Sequence, residues 1–226
     1  MADTARGRDE GFDMAAAVTR SLLGWGVVAG IFYLVVGVAL ALTRPGFDFG
    51  RHALSLLTLG DFGWAQTTNL ILAGLMTLAA AAGVRRATDS TVASALIEVY
   101  GLCLVGSAIF PPDPMAGFPA GVPASEGSLS GVLHLAFGAV GFLCLAIAAF
   151  VVAGWFAKRG EVRQALYSRV SGAVVALGFI GGAALATSAV GVACLWIAVV
   201  TGWAWLAVTS VGLYRTVPHP DGAKAS

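Results

Sequence analysis

Four side chains fit for acid–base or metal chemistry stand in unusually apolar surroundings: His52, Asp61, Asp113 and His134. An imidazole oriented by a carboxylate can move a proton without any metal. Two imidazoles with two carboxylates are also a competent donor set for zinc or iron, and two histidines from different segments can carry haem. No HxxxH or HExxH spacing selects a metal, so the cofactor is left unspecified by the sequence. No serine stands in a nucleophile-elbow context, which removes the basis for a serine hydrolase. Arg44 and Arg51 precede the first pair and suit an anionic head group such as phosphate or carboxylate. Ser55, Gln66, Asn69 and Ser130 complete the polar set as candidate ligand-binding residues.

Each residue also has a plainer use. Asp61 is placed to cap a following helix through its N–H groups. Asp113, between prolines, can bond its own backbone in a turn. His134, one turn after Ser130, can join two helices, as can Gln66 and Asn69, which lie one turn apart. Glu98 lies inside an apolar run as an intramembrane carboxylate, a class that often carries protons, or at the interface if that run slides. Cys103, Cys144 and Cys194 all fall within apolar runs and read as small buried hydrophobes rather than a bridge. Trp203 and Trp205 fall near the middle of the last run, as packing residues or cavity walls.

These side chains must be positioned by membrane helices. The chain of 226 residues is 58% hydrophobic and 11% charged, against about 25% charge in soluble domains. A net charge of +1 provides no field for nucleic acid. Six runs are long enough to cross roughly 30 Å of hydrocarbon at about 1.5 Å per residue: 22–42, 64–83, 92–110, 129–154, 168–189 and 191–213. The expected fold is all-α, a six-helix transmembrane bundle over 21–214 with tails at 1–20 and 215–226. The first run exceeds the roughly 7–15 apolar residues of a signal core and is read as a span. All but two of the 13 Lys and Arg residues fall on one side of this topology, the exceptions being Arg44 and Arg51. By the positive-inside rule both termini are cytoplasmic, so residues 44–69 and 110–134 face outward.

Within the first outer segment, residues 51–59 read as a short interfacial helix ended by Gly60, with Arg51, Ser55 and Thr58 on one stripe. The second holds five prolines at 111, 112, 114, 119 and 123, which exclude regular structure. An irregular apolar loop beside lipid must fold over the bundle to satisfy its backbone, as a lid. Glycine pairs at four-residue spacing, Gly26 with Gly30, Gly127 with Gly131 and Gly178 with Gly182, predict close helix packing within the bundle or between copies.

Arg44-Pro45-Gly46-Phe47-Asp48, Arg51-His52-Ala53-Leu54-Ser55-Leu56-Leu57 and Gly60-Asp61-Phe62-Gly63-Trp64-Ala65-Gln66 resemble the first signature of a bacterial integral-membrane family, catalogued as a domain of unknown function (nine-nine-eight). Phe110-Pro111-Pro112-Asp113-Pro114, with Gly117, Pro119 and His134, is similar to its second signature. The resemblance covers about residues 20 to 215. It implies a six-span protein of the bacterial inner membrane and treats the two outer loops as one site, but brings no activity. Three functions remain in view. One is a site that binds or processes a lipid, isoprenoid or other amphipathic molecule. The second is a non-catalytic assembly or sensor protein with a structural outer site. The third is a small-solute transporter, for which Glu98 is the main intramembrane candidate.

Overall fold

The computed structural model describes residues 12–125 and 127–221. The outer parts of both expected tails, with Arg6, Arg8, Asp9, Glu10 and Lys224, lie outside the described residues, as does Glu126. Six α-helices follow one another: α1 Met14–Thr43, α2 Gly63–Thr88, α3 Thr91–Ile109, α4 Leu129–Lys158, α5 Val162–Ala184 and α6 Ala189–Thr216. Each is long and apolar enough to cross a membrane. In lipid a spanning segment must satisfy its own backbone, so an unbroken apolar run becomes a helix whatever its local propensities. Side chains at the ends set the limits. Asp13, Ser90, Ser128 and Ser188 each accept a backbone N–H from the first turn of α1, α3, α4 and α6.

Every helix packs on its neighbours in the chain, and α1 closes the ring against α6. The Asp13 N–H donates to the Pro220 carbonyl at 3.0 Å, and Arg20 donates to the Val217 carbonyl at 3.2 Å. The two described ends therefore meet. The α2–α3 and α4–α5 turns, bearing Arg85, Arg86, Lys158 and Arg159, share that charged end, because each lies an even number of crossings away. Residues 44–62, residues 110–128 and the α5–α6 turn occupy the opposite, lid end.

Small residues set the helix spacing. A Cβ built on Gly74 would lie 2.7 Å from the Gly101 carbonyl oxygen, and one on Gly101 3.0 Å from that of Gly74. Gly26 and Gly30 take Ser210 and Trp203 of α6 against them, and Gly178 and Gly182 take Cys194 and Leu195. Both pairs are thus occupied inside the chain. The third expected pair is no helix seam. Gly127 precedes α4 at φ +66 with open space beside it, and Gly131 faces Asp113. The boundary expected between runs 168–189 and 191–213 also moves: α5 ends at Ala184 and Ser188 caps α6, accepting from the Gly191 N–H at 3.1 Å.

Candidate functional site

Residues 44–62 wrap back into the bundle rather than lie along its surface. Their helical part is a single 3₁₀ turn, Leu54–Thr58, with Leu54, Leu56 and Leu57 all buried. Three leucines in four positions cannot share one face of an interfacial helix, so the segment turns inward. Arg44 holds this turn: its guanidinium donates to the Leu57 and Leu59 carbonyls at 3.2 and 2.6 Å. Asp61 does not cap α2. The N-cap is Phe62, without a side-chain bond, and Asp61 is exposed. The turn closes instead from the Gly63 N–H to the Gly60 carbonyl at 2.9 Å. The chain passes so close there that a Cβ on Gly63 would strike the Thr58 carbonyl.

The proline-rich lid is pinned to that loop at several points. Met115 and Phe118 exchange backbone hydrogen bonds at 3.2 and 3.0 Å across Ala116 and Gly117. Ala116 and Gly117 have φ +54 and +85, the signs of a type I′ turn. For alanine the left-handed region costs about 1–2 kcal/mol, so the surroundings must hold it. His52, buried, does so. Its Nδ1 accepts from the Asp48 N–H at 2.9 Å and its Nε2 lies 3.2 Å from the Ala116 carbonyl. A donor on one side and an acceptor on the other assign the proton to Nε2. The Phe118 ring is buried beside Phe47 and His52, 5.5 and 5.3 Å between centroids. The Arg44 guanidinium lies 5.4 Å over its face, a cation–π contact.

Asp113 and Ser130 secure the other end of the lid. Asp113 accepts from the Ser128 N–H and the Ser125 hydroxyl, both at 3.0 Å. Ser128 first, and then Ser125, hold this carboxylate below its ordinary pKa by stabilising the charged form. The Ser130 hydroxyl donates to the Pro111 carbonyl at 2.8 Å. His134 serves the end of α3, where the last carbonyls lack helical partners. Its Nδ1 lies 3.1 and 2.8 Å from the Ser107 and Phe110 carbonyls. Two acceptors require Nδ1 to carry the proton, which leaves Nε2 an acceptor with no bond to a described residue.

Beneath the lid is a largely apolar cavity of about 200 Å³. Its floor is Tyr33, Tyr100 and Trp203, with the Trp203 ring 5.1 Å from Tyr33 and 5.7 Å from Tyr100. Arg51, Ser55 and His134 contribute polar groups to its wall. Arg51 is exposed, and among the described residues its guanidinium has no hydrogen-bond or ion-pair partner. Leu135 on α4 and Ala183 on α5 line the cavity while also lying exposed on the outside of the bundle.

The candidate residues therefore do not gather at one site. Arg51, Ser55 and His134 reach one cavity. Arg44, His52, Asp113 and Ser130 are spent on lid and loop backbone. Asn69 donates to the Tyr33 carbonyl and to Gln66 Oε1, each at 3.1 Å, so the amide pair joins α2 to α1. Glu98 is exposed and accepts from the Ser94 hydroxyl at 2.7 Å, away from the cavity. Among the described residues no three His, Cys, Asp or Glu side chains come together as a metal set. The aromatic floor was not assembled from sequence. Trp203, deep in the last run, was its one visible sign.

Residues 27–212 match the family model described as protein of unknown function (DUF998), and the chain belongs to that family. No curated protein matches it, and no solved structure does.

Proposed function

We propose that this member of the DUF998 family binds an anionic amphiphile, a lipid, an isoprenoid or a molecule of like build, with its apolar chain in the cavity and its head group on Arg51. The observation that carries the reading is a guanidinium without a partner among the described residues, at an apolar cavity in a membrane protein. Arginine is matched in shape and charge to phosphate and carboxylate, and a pocket with few convergent polar groups is the usual form of a small-molecule site. Leu135 and Ala183, exposed yet lining the cavity, support entry from the side, out of the bilayer, between α4 and α5.

The charge distribution supports a setting in a bacterial cytoplasmic membrane, with the charged end and both termini inside and the lid end outside. On that footing Arg44, His52, Asp113 and Ser130 keep the lid shaped over the ligand rather than touch it.

The test is ligand-induced stabilisation of purified protein in a neutral detergent, with dodecanoate as probe. The wild type is expected to gain melting temperature with dodecanoate and not with dodecyltrimethylammonium. Arg51→Gln removes the charge, and Gly138→Phe fills the cavity, because a Cβ at Gly138 meets only Phe179 at 3.8 Å. Both variants are expected to lose the gain. An Arg51→Gln protein stabilised as well as the wild type would refute the proposal.

A further inference from the structure

The head group can be specified further from the atoms around it, on the footing that an anionic amphiphile occupies this cavity. Three polar side chains on the wall set what it must offer. Arg51 supplies only donors, and among the described residues it has no partner. Ser55, also on the wall, can donate or accept. His134 is different. Its Nδ1 proton is committed to the Ser107 and Phe110 carbonyls at 3.1 and 2.8 Å. The neutral ring therefore presents Nε2 as a lone pair and cannot donate from it. The residue is only 8% exposed, and it lines the cavity. Ser107, which holds the ring in place through its carbonyl, lines the cavity too.

An acceptor on the wall of a largely apolar cavity finds no donor in a head group that is only an anion. It would face a carboxylate or a phosphodiester lone pair to lone pair, which is unfavourable where water is largely excluded. A head group carrying both a negative charge and an O–H can satisfy both residues of the wall, the anion on Arg51 and the hydroxyl on His134 Nε2. We infer that the ligand class is an amphiphile whose anionic head also bears a hydroxyl, with His134 as the residue that selects for that hydroxyl. Hydroxy-carboxylates and phosphomonoesters in their singly ionised form both have this chemistry. A hydrogen-bonding site rejects an analogue lacking the donor because its own polar atom is then stranded.

Two matched probe pairs test this, each exchanging an O–H for an O–CH3. They are 2-hydroxydodecanoate against 2-methoxydodecanoate, and monododecyl phosphate against dodecyl methyl phosphate. Binding is read by quenching of tryptophan fluorescence and by thermal stabilisation of the whole protein. The wild type is expected to favour the hydroxyl member of at least one pair by roughly tenfold. The pair that shows the preference identifies the head group as carboxylate or phosphate. His134→Phe is expected to abolish the preference while retaining binding of the methylated member. His134→Gln, which can both donate and accept, is expected to keep part of it. Arg51→Gln should weaken both members of a pair alike. If the wild type binds hydroxyl and methylated members equally in both pairs, while Arg51→Gln still weakens all four, the hydroxyl assignment fails and the anionic-amphiphile reading survives. If Arg51→Gln weakens none of them, that reading fails as well. A His134→Phe protein that retains the preference also overturns the assignment, since selection then lies elsewhere.

Discussion

His52 Nε2 reaches the carbonyl of Ala116 at 3.2 Å across a sequence separation of 64 residues. It joins a buried imidazole of one loop to a strained non-glycine residue of the other, since Ala116 sits at φ +54. The ring is shared between the Asp48 amide and that carbonyl, so it works as a brace. Replacing it strands one donor and one acceptor. His52→Ala is expected to cost about 2 kcal/mol, or roughly 4–8 °C in melting temperature for a chain of this size. The lid, residues 110–128, should also become sensitive to protease. Thermal unfolding in detergent and mapping of the cleavage site check both. An unchanged lid in His52→Ala would remove the brace from this account.

Ala116 itself separates strain from packing. Glycine there removes the left-handed penalty and returns part of it through a more flexible unfolded chain, so Ala116→Gly should stabilise by about 0.5–1 kcal/mol. Ala116→Val should destabilise by more than 1 kcal/mol, because a β-branched side chain tolerates this region worst. The two melting temperatures should lie on opposite sides of the wild type.

The lid's attachment through Asp113 is pH-dependent in a stated direction. Ser128 and Ser125 depress the carboxylate pKa in the folded protein. A depressed carboxylate contributes in full above the ordinary carboxylate value and loses its contribution as pH falls through the lowered folded value. Lid proteolysis should therefore stay slow from neutral pH down to the ordinary carboxylate range and rise below it. Asp113→Asn should be fast at neutral pH and lack that acid-induced step. A lid that opens in acid equally in both proteins would assign the step to another group.

The α2–α3 seam gives a test independent of any ligand. Gly74→Ala places a Cβ 2.7 Å from a backbone oxygen that cannot swing away, and overpacking of this kind costs about 1–3 kcal/mol. Gly154→Ala meets nothing within 4 Å and should be neutral or slightly stabilising through helix propensity. Thermal unfolding of the two variants under one condition makes the comparison.

The two loops of the lid end illustrate where a linear reading stops. Prolines at 111, 112, 114, 119 and 123 announce an irregular lid, but not that Phe118 would be buried between Phe47 and His52. Asp61 has the right type and spacing for a cap, yet the Gly60–Gly63 turn closes through backbone alone and leaves it outside. Capping is decided by a few degrees of backbone geometry, which composition does not carry. Gln66 and Asn69 were legible as helix glue, because one-turn spacing on a membrane helix leaves amides few other partners.

What this sequence determined by itself is the set of six membrane helices, their even number, and the gathering of positive charge at one end. Apolar run length decides these, since lipid offers backbone groups no partner outside the segment. What only the tertiary structure decided is which polar residues remain available. Arg51 and His52 are neighbours in the chain. One is exposed beside the cavity, its guanidinium without a partner among the described residues, and the other is buried with both ring nitrogens bonded. The difference lies in Ala116, Asp48 and Phe118, which packing brings within bonding distance of one side chain and not of the next.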